Sequence, residues 1–319
     1  MTKMRALVVD PTLNFRPDYP DPAPAAGESV VRVSIAGICG TDLEITSGYM
    51  AYRGVPGHEF VGRVADTRDS RLRGKRVVGE INAACGRCSF CIAGIGRHCL
   101  DRTVMGILGR DGAFAEFVRL PDENLLTVPD SIPDELAVFT EPLAAAYEIF
   151  EQLHIPHNRS IAVLGDGRLG AMVALALKSE KYEPIVAGHH PQKLERLVSL
   201  GLATRLEREL RDRFDYLIDC TGNADGFRRA IELVKPRGTI ILKSTAAAGT
   251  VLNLAPIVVN EITVVGSRCG RFAPALAAME AGKFDPRPLI DGTFALQDGP
   301  GAMAAAANPS NFKILLRPS

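Results

Sequence analysis

Nothing in the 319 residues reaches the roughly 18 consecutive apolar positions needed to span a bilayer, which excludes a transmembrane-helix architecture. The apolar core of a signal peptide is missing too. Met1-Thr2-Lys3-Met4-Arg5 runs straight into a short apolar stretch, Ala6 to Val9, and then into Asp10-Pro11. A cytoplasmic location is therefore expected. Net charge is absent as well, since Lys+Arg and Asp+Glu both total 37, and a neutral chain has no electrostatic reason to bind nucleic acid or an anionic membrane. There is no internal repeat and no low-complexity tail.

What is present is a globular composition, 46% apolar and 23% charged, long enough for one large domain or two ordinary ones. Up to about residue 135 the texture is β-rich. Ser29 to Ile35 alternates apolar and polar residues, and Phe60 to Val64, Lys75 to Gly79 and Ala113 to Val118 are further strand-like runs. The Pro- and Ala-rich stretch Asp18 to Gly27 reads as a surface loop. From about Ser160 strands and helices alternate. Ser160–Leu164, Pro184–Ala187, Phe214–Cys220, Thr239–Leu242 and Ile262–Val265 read as strands; Leu169–Lys178, Gln192–Leu200 and Gly226–Val234 read as helices. That order predicts a doubly wound parallel sheet. An Ala-rich helix after Gly301 and the strand Phe312 to Leu316 are expected to return to the first domain.

Seven cysteines are present, and four of them, Cys85, Cys88, Cys91 and Cys99, are spaced C-x2-C-x2-C-x7-C with Gly86, Gly94 and Gly96 between them. In a cytosolic chain such a cluster favours metal over disulfides. Four thiolates describe a closed structural zinc site. An iron–sulfur run would have a shorter last gap followed by proline, whereas Leu100 follows here. Between Gly37 and Gly62, Cys39, Thr41, Glu44, His58 and Glu59 stand among glycines, and thiol, imidazole and carboxylate together suit a borderline-soft cation, above all zinc. Taken singly, that Cys and His also read as a buried thiol and a satisfied core histidine.

Gly165-Asp166-Gly167-Arg168-Leu169-Gly170 is G-x-G-x-x-G between a strand and a helix, the context that a pyrophosphate-binding turn requires. The acid that selects NAD is expected at the end of the second strand. That strand ends Val186-Ala187-Gly188-His189-His190, with Lys193 beyond, and carries no acid. With nothing there to repel a 2′-phosphate, and with His189, His190, Lys193 and Arg168 nearby, NADP is expected in preference to NAD.

In this combination the chain resembles the zinc-containing members of the medium-chain dehydrogenase/reductase superfamily. The matching residues are G-I-C-G-T-D at 37–42, G-H-E at 57–59, the four cysteines, E-P-L at 141–143, G-D-G-R-L-G at 165–170 and C-T-G-N at 220–223. The resemblance implies a GroES-like catalytic domain (1–141 and 272–319) around a Rossmann domain (142–271), with the active site in the cleft. It implies Cys39 and His58 as catalytic zinc ligands, completed by Glu141 or the adjacent Glu59, and a second, structural zinc in the cysteine lobe. Thr41 matches the family's hydroxyl relay, and Glu44 stands where many relatives have a histidine. Cys220, Thr221 and Gly222 match the wall around the adenosine and ribose; Ser267 and Arg268 match the nicotinamide end.

The implied activity is hydride transfer between a secondary alcohol, polyol or sugar hydroxyl and NAD(P), in a homodimer or homotetramer. A zinc-independent enone or quinone reductase and a non-enzymatic zinc- and nucleotide-binding regulator are the alternatives. Tyr49, Met50, Tyr52 and Arg53 are expected to face the pocket. Tryptophan is absent and the chain is compact for this family, so a specificity loop of the relatives is expected to be missing.

Overall fold

A computed structural model describes residues 2–244, 252–283 and 285–318. The chain divides into two compact units, Met1–Glu141 with Phe272–Ser319, and Pro142–Arg271.

The first unit is built on a mixed sheet whose central strand, Glu28–Gly37, is buried along most of its length. It pairs antiparallel with Glu59–Asp66, with Phe117–Pro121 and with the C-terminal strand Lys313–Arg317, whose Leu315 stands opposite Gly37. Lys313–Arg317 in turn runs parallel to Ile290–Ala295. The three short strands Asn82–Ala83, Thr103–Met105 and Gly109–Arg110 form a separate sheet flanking the cysteine lobe.

One expectation is corrected here. The stretch read as a loop from Asp18 begins inside a strand, Leu13–Pro20, which pairs with Lys3–Val9. It belongs to a two-stranded sheet, and such an edge tolerates proline because the missing N–H costs no ladder bond.

The second unit is a six-stranded parallel sheet in the order Ala203–Leu206, Ile185–Gly188, Ile161–Leu164, Phe214–Asp219, Val234–Leu242, Thr263–Gly266. This is the doubly wound order, with its reversal beside Ile161–Leu164. The first helix, Arg168–Ser179, buries every residue from Gly170 to Leu177, as its almost wholly apolar sequence requires. The outer strand Ala203–Leu206 escapes sequence reading because it is short and carries Arg205 and Thr204 on an edge.

Asp215 closes the lower end of this sheet. Its Oδ2 accepts from the Ser160 backbone N–H (3.0 Å), the Ser160 hydroxyl (2.6 Å) and Lys235 Nζ (2.8 Å). Burial works to raise its pKa, but the Lys235 and Ser160 bonds outweigh that and hold the carboxyl below the usual range. A depressed folded pKa means stability that is complete above the ordinary carboxylate pKa and is lost as pH falls through the folded value. Asp215→Asn is expected to destabilise the protein by roughly 1–3 kcal/mol at pH 7 and by only somewhat less near pH 3, where the folded carboxylate is still ionised and only the unfolded chain has begun to protonate, as denaturant titrations at the two pH values would read.

Candidate metal centres and dinucleotide site

The strand Glu28–Gly37 delivers Cys39 to the N-terminus of the helix Gly40–Thr46, where it is the capping residue. Asp42, on the first turn, is fully buried, and its Oδ2 accepts the Cys39 backbone N–H at 2.8 Å. Its Oδ1 accepts the Gly57 N–H at 3.2 Å and stands 3.2 Å from His58 Nδ1, without the alignment of a formed hydrogen bond. One carboxylate thus ties the cysteine-bearing helix to the turn that carries the histidine. Gly57 makes that turn at φ +95°, where a Cβ would collide with the Phe114 ring.

Ligand atoms of Cys39, His58 and Glu59 lie within 4.8 Å of one another, with the histidine and glutamate buried. Burial opposes charge on His58, but the Asp42 carboxylate and Cys39 outweigh it and hold the imidazole well above its usual pKa. With Asp42 at Nδ1, Nε2 is the nitrogen that would give up its proton to a cation, an arrangement common to metal-binding histidines. Soft thiol, imidazole and carboxylate converging in a buried site fit zinc.

Glu59 is ion-paired to Lys313 Nζ, itself buried and 5.5 Å from the centre of the Phe139 ring. A Cβ at Gly37 would collide with the Glu59 carboxylate, so glycine there makes room for the pair. Glu141, half-buried in the first turn of the helix Thr140–Gln152, lies outside this cluster. Thr41 is half-buried and Glu44 exposed, one turn apart on the same helix. Tyr52 is buried. It is packed with Val9 and Ile45, and its hydroxyl donates to the Val55 and Arg110 carbonyls.

In the cysteine lobe all four sulfurs lie within 4.8 Å of one another. Three of the separations are 3.4 Å (Cys88–Cys91), 3.7 Å (Cys88–Cys99) and 3.9 Å (Cys85–Cys91). A disulfide needs about 2.05 Å, whereas ligands about 2.3 Å from a tetrahedral zinc are about 3.8 Å apart. The spacing fits the ion. Backbone N–H groups of Arg87 and Cys88 draw the Cys85 thiol down to about 6, so one thiolate is favoured near neutral pH.

In the second unit each glycine of the phosphate loop has a reason. Gly165 turns at φ +109°, and a Cβ on it would stand 2.8 Å from the Cys220 carbonyl; a Cβ on Gly170 would strike the Gly165 carbonyl. Gly167 opens the helix Arg168–Ser179 on its free side. Thr221 donates from N–H and hydroxyl to Asp219 Oδ1, and Gly222 N–H donates to Ser244. Cys220 is a packed thiol, pushed up by burial. Ser267 is buried and Arg268 exposed. The buried Lys243, which sequence reading missed, donates to Ser267 Oγ (3.0 Å), the Arg268 carbonyl (2.9 Å) and the Ala145 carbonyl (2.5 Å).

The reading of the selector is corrected in one respect. Gly188 does end the second strand, yet a carboxylate reaches it from elsewhere. Asp166, inside the glycine loop, accepts the His190 N–H at 2.7 Å and packs where a Gly188 Cβ would be. His189 is exposed, His190 half-buried and Lys193 buried.

Residues 25–130 match the family described as the alcohol dehydrogenase GroES-like domain, and residues 169–281 match the zinc-binding dehydrogenase family. The chain is 32% identical to an L-threonine 3-dehydrogenase of Streptomyces coelicolor over 98% of this chain and 99% of that one. It is 27% identical to a sorbitol dehydrogenase of Halalkalibacterium halodurans over 94% of each. An alcohol dehydrogenase of E. coli CFT073, solved with NADH, superposes at a TM-score of 0.91 with 25% identity, covering 98% of this chain and 99% of that one.

Asp42→Asn replaces one of the acceptor oxygens by a donor. It is expected to weaken metal binding at the Cys39–His58 site about 10- to 100-fold, read by competition against a chromogenic chelator.

Proposed function

The chain belongs to the zinc-containing medium-chain dehydrogenase/reductase superfamily, and on that premise we propose how its residues divide the work. It is a zinc-type oxidoreductase that moves a hydride between an alcohol or polyol and a nicotinamide dinucleotide. The observation that carries the assignment of residues is the convergence of Cys39, His58 and Glu59 in a buried site.

In this reading Cys39 and His58 hold a catalytic zinc, and Glu59 is the carboxylate within reach. Glu141, outside the cluster, stays as the ligand implied by the family resemblance. The ion supplies Lewis-acid polarisation of the substrate oxygen, and the dinucleotide supplies the redox chemistry. Thr41 Oγ1 takes the proton released from the substrate hydroxyl and passes its own toward the Glu44 carboxylate. Glu44 lies three residues on, hence on the same helix face, and is exposed to water. Asp42 keeps His58 oriented, and Lys313 is the cation paired with Glu59.

The cysteine lobe holds a second, structural zinc, which the sulfur spacing supports. In the second unit Gly165, Gly167, Arg168, Leu169 and Gly170 cradle the pyrophosphate, Cys220, Thr221 and Gly222 flank the adenosine ribose, and Ser267 and Arg268 take the nicotinamide end. NADP is preferred to NAD. Gly188 supports this, because it leaves the strand end without its own acid, and so does the exposed His189 beside it. Lys193 and His190 complete that neighbourhood.

The protein assembles as a homodimer or homotetramer. The exposed edge strand Thr263–Gly266, with Val264, Val258 and Val259 open to solvent, supports self-association. No helix among the described residues is long and apolar enough to cross a membrane. None of the seven cysteines is joined in a disulfide, the state that a reducing cytoplasm maintains.

Metal analysis should give about two zinc ions per chain in the wild type and about one in Cys99→Ser. Glu59→Gln and Glu141→Gln, compared in the same way, separate the two carboxylates as ligands. A panel of secondary alcohols, polyols and 2-amino-3-hydroxy acids, followed by NADPH and NADH absorbance in both directions, tests the activity. Turnover is expected with a kcat/KM ratio favouring NADP⁺, and a ratio favouring NAD⁺ sinks the cofactor preference. Thr41→Val is expected to lower kcat about 100-fold with zinc content unchanged, and unchanged turnover removes Thr41 from the relay.

A further inference from the structure

Asp166 has a position that its place in the sequence does not suggest. It follows the first glycine of the phosphate loop, yet its side chain is turned toward the end of the neighbouring strand Ile185–Gly188. A Cβ on Gly188 would collide with its Cβ, Cγ and Oδ2 together. The carboxylate therefore sits at the root of the position from which a strand-end acid would project toward a ribose diol.

Asp166 is buried, with its side chain only 8% exposed, and His190 is what holds it inward. The His190 backbone N–H donates to Oδ2 at 2.7 Å, and Nδ1 lies 3.0 and 3.2 Å from the two carboxylate oxygens. Because both neighbours of Nδ1 are acceptors, that nitrogen carries the proton. Glycine at 188 is thus the space that admits this pair, and its lack of an acid is only half of the selector.

We propose that Asp166 is the specificity-determining residue at the adenosine end. It is a carboxylate supplied by the phosphate loop, which His190 keeps folded over Gly188 so that a 2′-phosphate is tolerated. Freed from His190, the same carboxylate turns outward, accepts hydrogen bonds from the ribose hydroxyls and repels the phosphate. His190 is then a positioning residue that acts through Asp166, and it need not touch the phosphate. This inference rests on the reading of the glycine loop as a dinucleotide site.

The test is a double-mutant cycle on the intact protein, with NADPH and NADH dissociation constants measured by nucleotide fluorescence and kcat/KM measured alongside. His190→Ala should weaken NADPH binding relative to NADH by about tenfold, the scale of one like charge a few ångströms from the phosphate at a half-exposed site. Adding Asp166→Asn to that variant should restore the wild-type ratio. His190→Asn, whose amide N–H can replace Nδ1–H, should keep it.

A double variant as weak for NADPH as His190→Ala alone overturns the proposal, since His190 would then bind the phosphate itself. An unchanged ratio in His190→Ala overturns it too. If the wild type binds neither dinucleotide, both this inference and the reading beneath it fail. If the wild type favours NADH and the cycle still shows rescue by Asp166→Asn, only the NADP preference falls and the role of Asp166 stands.

Discussion

A carboxylate with no exposure to water has to be satisfied by donors, and Asp42 is satisfied by the two segments that carry the candidate ligands. Its oxygens take the backbone N–H of Cys39 and of Gly57, and one faces His58 Nδ1. The geometry of thiol and imidazole is therefore set by backbone hydrogen bonds and not by side-chain rotamers alone. Gly57 and Phe114 fix the approach of that turn from the other side, since the ring occupies the space a Cβ would need. A site preorganised in this way loses little conformational freedom when it accepts a cation, which is how a protein gains both affinity and geometric choice.

The elements legible in the sequence are those whose signals are local. The glycine loop could be read because strand, turn and helix follow within a dozen residues and each glycine answers a steric demand. The gathering of four cysteines was legible from their spacing. What escaped depends on distant partners. Asp42 looks like an ordinary first-turn acid, although an acid three residues after a capping cysteine does carry a capping signal. Lys313 opens an apolar strand and Lys243 directly follows one, a pattern that says only that an unusual partner exists. The fold of Asp166 over Gly188 has no sequence signature, because it depends on the parallel register of Ile161–Leu164 beside Ile185–Gly188.

Charge that is wholly or partly buried recurs in this chain as a means of joining elements. Glu59 and Lys313 neutralise one another in the first unit, Lys243 binds two segments around Ser267 in the second, and Asp215 links three strands at their starts. Removing one partner of such a group leaves the other charged and unsatisfied, which costs more than the intact pair contributes. These positions specify how elements meet, while apolar burial supplies most of the stability.

The Glu59–Lys313 pair has a consequence for the order in which the protein is made. The two residues are 254 positions apart, and the strand that carries Lys313 completes the pairing of Glu28–Gly37. During synthesis the whole Rossmann unit emerges between them, so it has its full sequence while the first unit still lacks a strand. Until the strand Lys313–Arg317 leaves the ribosome, Glu59 lacks this counter-ion and one side of its sheet stays open. The first unit is thus obliged to finish after residues 142–271 have all been synthesised, so the middle of the nascent chain has the chance to fold before it.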